Sequence, residues 1–242
     1  MHTKNFVAAV FVAAQALATA AFAGDITTLQ TLSQAEFKRF GEDLTAGLSY
    51  KAAAPATPLG ITGFDVGVGF SAVEMKQSAL WNKATGSDTN VLPVPKLFVS
   101  KGLPFGIDIG GSYTAIPGTN IKLYGAEIKY AILEGSTVTP ALAVRAGFTR
   151  LDGVDQLDFS TQTAEIVLSK GFLGFTPYVG AGYVRGHASA HLPAGFSLAS
   201  ENIHKTKLLA GVNWNILLGN LAVEFDRTGD NNALTAKLGI RW

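Results

Sequence analysis

From residue 62 to the C-terminus, apolar positions alternate with polar or very small ones. A period of two is the signature of strands whose two faces meet unlike surroundings. Ten segments carry it, at 62–73, 94–101, 105–115, 122–132, 139–149, 160–170, 174–185, 204–214, 219–227 and 233–242. Most have 9 to 12 residues, and a tilted strand needs about 9–11 to cross a bilayer. One face is apolar, as in Val66, Val68 and Phe70, Ile107 and Ile109, or Leu221, Val223 and Phe225. The other carries Asp65, Asp108, Glu127, Lys129, Arg145, Glu165, Lys207, Glu224, Asp226, Lys237 and Arg241, with glycines such as Gly67, Gly69, Gly125, Gly147 and Gly180 between them.

Alternation alone does not say which face is inside, and a soluble barrel would turn the apolar face inward. Three features point the other way. The joins near 102–104, 133–138, 171–173 and 215–218 are short, whereas those near 74–93, 150–159 and 186–203 are long, with shorter members at 116–121 and 228–232; transmembrane barrels have short periplasmic turns and longer external loops. Aromatics gather at strand ends, with Tyr113, Tyr124, Phe148, Tyr183 and Phe225 toward one rim and Phe64, Tyr130, Phe175, Trp214 and Trp242 toward the other, as in two interfacial girdles. Glycine crowds the charged face, which suits a narrow lumen where the sheet curls. The expected fold is all-β, an antiparallel transmembrane β-barrel of about ten strands over residues 62–242, with the eleven charged residues lining its lumen.

Residues 24–61 break the pattern. Ser33 and Glu36 are spaced as a capping box, and a helix through Phe37, Phe40 and Leu44 would follow. Alternation over Leu44, Ala46, Leu48 and Tyr50 equally allows a short strand, and two extra strands would make twelve. Residues 52–58, with Pro55 and Pro58, read as a linker. The helix needs a surface for its apolar stripe: beneath the barrel is the first expectation, a plug in the lumen the second. Residues 1–23 read as an export signal, with Lys4, an apolar run from Phe6 to Leu17 and the cleavage site Ala21-Phe22-Ala23.

Composition narrows the function classes. Hydrophobic residues make up 48% of the chain, yet after the signal no apolar run reaches the length of a membrane helix. The formal charge of +1 argues against a nucleic-acid surface, and without cysteine there is no thiol chemistry. No phosphate-loop, zinc or haem motif is present, so no cofactor is expected. Acidic and basic lumen positions nearly balance, which fits a lumen filled by ion pairs or a narrow polar path with mild ion preference. Three of the four histidines, His187, His191 and His204, fall in the segment 186–204. On a helix, His187 and His191 would share a face suited to a metal, and with nearby Ser189 a serine–histidine–acid site is conceivable. A solvated loop explains them as well.

Several motifs carry a resemblance. The runs Gly60-Ile61-Thr62-Gly63-Phe64-Asp65, Leu92-Pro93-Val94-Pro95-Lys96, Lys101-Gly102-Leu103-Pro104-Phe105-Gly106, Gly153-Val154-Asp155-Gln156-Leu157 and Asp226-Arg227-Thr228-Gly229-Asp230 resemble conserved-hypothetical proteobacterial outer-membrane proteins. That resemblance implies a Gram-negative outer-membrane location and brings no activity with it. The last strand is similar to the assembly signal of outer-membrane proteins at Thr235, Ile240 and Trp242, although Lys237 stands where glycine is usual. It implies periplasmic chaperones and the barrel-assembly machinery as partners in biogenesis, with outer-membrane lipids and lipopolysaccharide as neighbours. The expected role is structural or that of a narrow passive channel. An enzyme at the external rim using His187, His191 or His204, or a ligand-binding barrel using loops 74–93 and 186–203, are the alternatives.

Overall fold

The computed structural model of the chain describes residues 26–86, 90–116, 119–136 and 138–242; the export signal expected at 1–23 lies outside them. Ten strands form: β1 (Phe64–Glu74), β2 (Val91–Gly102), β3 (Ile107–Ala115), β4 (Lys122–Leu133), β5 (Ala141–Asp152), β6 (Leu157–Ser169), β7 (Phe175–Ala190), β8 (Glu201–Ile216), β9 (Gly219–Thr228) and β10 (Asn231–Arg241). Each pairs antiparallel with its neighbours in sequence, and β1 closes on β10 with Val66 opposite Ile240. Closure gives every ladder a partner, which is what a sheet surrounded by lipid requires. Among the described residues no further pair of strands joins the barrel to make twelve.

The strands settle the question of faces. Toward the end with the short turns, charged side chains are buried inside, and Val66, Ile109, Ile128, Ile166, Leu208 and Ile240 stand exposed on the outer wall. Aromatic pairs mark both rims of this band: Phe64 on Trp242 and Phe175 on Trp214, each at 5.1 Å between ring centroids, and Tyr113 on Tyr124 at 5.4 Å. A water-soluble barrel has the reverse arrangement. The apolar outer band with a polar interior is that of a transmembrane barrel.

Nearer the long connections the phase inverts. Val73, Leu92, Leu123, Leu151, Leu157, Phe159, Val184 and Ile203 are buried inside, while Arg150, Asp158, Arg185, His187, Asn202 and His204 face out. This part is built like a soluble barrel around an apolar core. It makes β7 and β8 sixteen residues long each, more than the roughly 9–11 a bilayer needs. The long connections expected at 150–159 and 186–203 therefore shrink to residues 153–156 and 191–200. Their flanks are strand, and they read as loop because apolar and polar positions change sides there.

That core is filled by the N-terminal segment, a correction to the expected packing beneath the barrel. Helix α1 (Gln34–Leu48) lies inside the barrel, with Phe37, Phe40, Leu44 and Leu48 buried. A Cβ on Gly186 of β7 would collide with Thr45, and one on Gly41 would come within 2.7 Å of Ile203 on β8. The helix runs through Leu48, so the alternation at 44–50 makes no strand. Helix α2 (Ser78–Thr85) in the β1–β2 connection covers its end, with Trp81 against Phe40 at 4.8 Å.

The capping box forms: the Ser33 amide donates to Glu36 Oε2 at 2.9 Å, and the Glu36 amide donates to Ser33 Oγ at 3.4 Å. Lys83 of α2 reaches Glu36 at 2.5 Å. This contact, with the Ser33 bonds, holds the Glu36 carboxyl down at about 2 against an ordinary 4.5. Because the folded value is the lower one, the contribution is complete above about pH 4.5 and is lost as pH falls toward 2. Hydrogen exchange over residues 34–40 should therefore differ between wild type and Glu36→Gln at pH 6 and converge by pH 2.

Candidate functional site

The lumen of the membrane-embedded part is built by strand register. One row of register partners runs Asp108, Lys129, Arg145, Glu165, Gly182, Lys207 around β3 to β8. Register sets opposite charges side by side at Asp108 and Lys129 and at Arg145 and Glu165, and leaves Lys129 and Arg145 as like-charged neighbours. Lys129 contacts Asp108 at 2.9 Å, and Arg145 Nε meets Glu165 Oε2 at 2.5 Å. Lys207 meets Glu165 Oε1 at 2.7 Å, and across the seam Lys237 meets Asp65 at 2.8 Å. Glu127 and Glu224 complete the surroundings of Arg145, at 3.9 and 4.0 Å. The structure thus turns Asp65, Asp108, Glu127, Lys129, Arg145, Glu165, Lys207, Glu224, Asp226, Lys237 and Arg241 inward and joins most of them in ion pairs.

Between them lies a segment whose course the sequence left open. After α1, residues 49–59 run through the lumen toward the short-turn end, and the wall grips their backbone. Lys207 donates to the Tyr50 carbonyl at 3.0 Å, Arg145 to that of Ala54 at 3.3 Å, and Lys129 to those of Pro55 and Thr57 at 3.2 and 3.1 Å. The Ala56 amide donates to Ser169 Oγ at 3.1 Å, and the Leu59 amide to both Asp108 oxygens at 3.1 Å. Lys51, fully buried, bridges from this segment to Asp226 at 3.0 Å. Lys96 of β2 is a further buried lumen cation. It sits opposite Gly69, outside the regular alternation of charge and glycine noticed in the sequence.

The inward glycines gain a second reason. A Cβ on Gly147 would come within 2.8 Å of Tyr50, and one on Gly125 within 2.9 Å of its ring. They leave the space that Tyr50 fills. This is a local requirement beyond sheet curvature, and it was hidden because Tyr50 lies far away in sequence.

The top of the plug is anchored by Asp43, buried on α1. Its carboxylate accepts from the amides of Lys76 and Gln77 at 3.3 and 2.9 Å, from Trp81 Nε1 at 3.1 Å and from Asn231 Nδ2 at 2.8 Å. No spacing in the sequence signals this, since the donors come from a loop, a helix and the last strand.

The histidines are divided between two strands and a connection. His187 and His204 are on strands, facing outward, so helical spacing does not apply to His187 and His191. His187 Nδ1 lies 3.2 Å from Asn202 Oδ1, and His191 lies 3.7 Å from Asp158. Among the described residues no group of three or more His, Asp or Glu side chains is placed to hold a metal.

No curated protein matches the chain. Among solved structures it is similar to the outer membrane protease OmpT from Escherichia coli, at 10% identity over 74% of this chain and 95% of that one, with a TM-score of 0.42. It is also similar to the N-terminal β-barrel domain of Pseudomonas aeruginosa OprF, at 12% over 73% and 97%, TM-score 0.35. Ail, the attachment invasion locus protein of Yersinia pestis, matches at 13% over 74% and 97%, TM-score 0.32. Likeness this low transfers no role. Residues 81–242, from α2 through the final strand, match the sequence model of DUF6588, and the chain belongs to that family of unknown function.

Proposed function

We propose that the protein is an outer-membrane barrel sealed by its own N-terminal segment. At rest it is a structural membrane protein, and small solutes pass only when residues 49–59 leave the lumen. The observation that carries this reading is that Lys129, Arg145 and Lys207 spend hydrogen bonds on the segment's backbone carbonyls. Contacts to backbone hold an extended chain in place whatever its side chains, and their loss would leave a polar, charge-lined path. The long connections and α1 face the cell exterior and the short turns face the periplasm, as barrels of this class are built.

Single-channel recording in planar bilayers tests the seal. Intact protein should be silent, and protein lacking residues 26–59 should conduct. Because the deletion variant can fail to fold, a second measurement uses the absence of native cysteine. A cysteine in place of buried Ala52 should resist a small water-soluble thiol reagent in the folded barrel and react after unfolding. Steady conductance by intact protein, or rapid labelling of the folded Ala52→Cys barrel, would overturn the seal.

A further inference from the structure

The outer wall over β4 to β8 is concave. A groove of about 730 Å³ lies there. Ala146, Ala164 and Ala181 are outward-facing in it, with Ile128, Ile166 and Leu208 beside them. The register explains the hollow: Ala146 and Ala164 are paired neighbours, and Ala181 is paired to Ile166 between larger side chains. A dip of this kind in an apolar wall accommodates an alkyl chain better than a flat wall does.

Directly beyond the groove, toward the long connections, the wall turns cationic. One row reads Phe148, Gln162, Arg185, His204, and the next Tyr124, Arg150, Ser160, His187, Asn202. This is the level at which the strands change phase, so it marks the edge of the apolar band. Asn202 Oδ1 accepts from Arg185 at 3.1 Å and lies 3.2 Å from His187 Nδ1, which fixes both donors on the surface. Among the described residues neither Arg150 nor Arg185 has a carboxylate within ion-pair distance. The acids of this wall, Asp152 and Asp158, stand one row further out. Across the barrel, outward cations near the same edge are already engaged, Arg227 with the Gly229 carbonyl and Lys76 with Glu74.

We propose that this wall is a binding site for one phosphorylated glycolipid of the outer leaflet. An acyl chain lies in the groove, and a phosphate is held by Arg150 and Arg185 with His204 as a further donor. An apolar slot ending in two guanidinium groups that have no carboxylate partner at the membrane edge complements an anionic amphiphile, and guanidinium matches phosphate with paired donors. The inference rests on the orientation given above, which puts this end in the outer leaflet.

The test uses full-length protein purified in a non-ionic detergent. It is incubated separately with lipid A, phosphatidylglycerol and inorganic phosphate, and retained ligand is read by native mass spectrometry. Wild type should retain one lipid A and neither of the others. Arg150→Ser with Arg185→Ser should lose roughly tenfold or more in retention. Ala164→Phe, which fills the groove and leaves every cation in place, should lose it as well. Equal retention by wild type and both variants would overturn the site, as would a second copy of the chain occupying the groove. Phosphatidylglycerol retained in preference to lipid A would overturn the glycolipid assignment. Protease cleavage of the 191–200 connection from the periplasmic side alone would overturn the orientation, whatever the lipid result.

Discussion

Replacing Arg145 with methionine is expected to destabilise the folded barrel by about 3–5 kcal/mol, the usual cost of stranding buried charge. Arg145 is the only cation within 4 Å of Glu127 and Glu224 among the described ion pairs, and it shares Glu165 with Lys207. Without it, Glu127, Glu165 and Glu224 keep only the Lys207 ammonium, on Glu165, within ion-pair distance among the described pairs. The segment inside also loses the bond to the Ala54 carbonyl. A urea titration of protein refolded into lipid vesicles, followed by heat-modifiable gel mobility, reads the shift in midpoint. Arg145→Met combined with Glu165→Gln should recover part of the loss, because residues in one network are not additive. An unchanged midpoint would show that the network contributes nothing to the fold.

Replacing Asp43 with alanine is the second large effect. Four donors converge on this carboxylate, and two of them, the Trp81 indole and the Asn231 amide, are side chains inside the covered end of the barrel. Orphaning buried donors costs about 1–3 kcal/mol for each, so a loss of roughly 3 kcal/mol or more is expected. The damage should be local at first. Helix α2 is held to α1 by the Asp43 bonds, the Phe40–Trp81 contact and the Lys83–Glu36 pair, so its release should precede loss of the strands. Trp81 fluorescence should shift to longer wavelength at a denaturant concentration where the strand signal in far-UV circular dichroism is intact. Coincident transitions would mean that the cover and the wall are one cooperative unit.

The membrane-embedded part of the barrel was legible in the sequence because its physics is periodic. Lipid outside and charge inside force a two-residue alternation, and all ten strands and the inward set from Asp65 to Arg241 follow from it. The same rule hid the rest of the wall. At Leu157 and Phe159, or Val184 and Ala188, apolar residues are on the inner side, and the outward Asp158, Arg185 and His187 looked like loop composition. The capping box at Ser33 and Glu36 placed the start of α1, since it is a local motif. Where α1 goes is not local. Its seat is made by Gly41 against Ile203, Gly186 against Thr45 and Asp43 against Asn231, contacts between residues more than 140 positions apart. Lys51 and Tyr50 were missed as lumen residues for the same reason, because the wall positions they meet lie far away in sequence.

The path of residues 26–63 also constrains the order of events in folding. The chain enters β1 from the short-turn end, yet α1 lies beyond the charged row, at the opposite end of the cylinder. A helix is about 10–12 Å across with its side chains, and residues 49–59 already fill the lumen below it. Threading α1 through a finished cylinder would mean dragging Phe37 and Phe40 past Arg145, Glu165 and Lys207 while their pairs are broken. The simpler route is for the sheet to curl around a segment already in place, so that the seam between β1 and β10 zips last. On that route the N-terminal segment acts as a mandrel, and the last strand, ending at Trp242 against Phe64, is the latch that traps it.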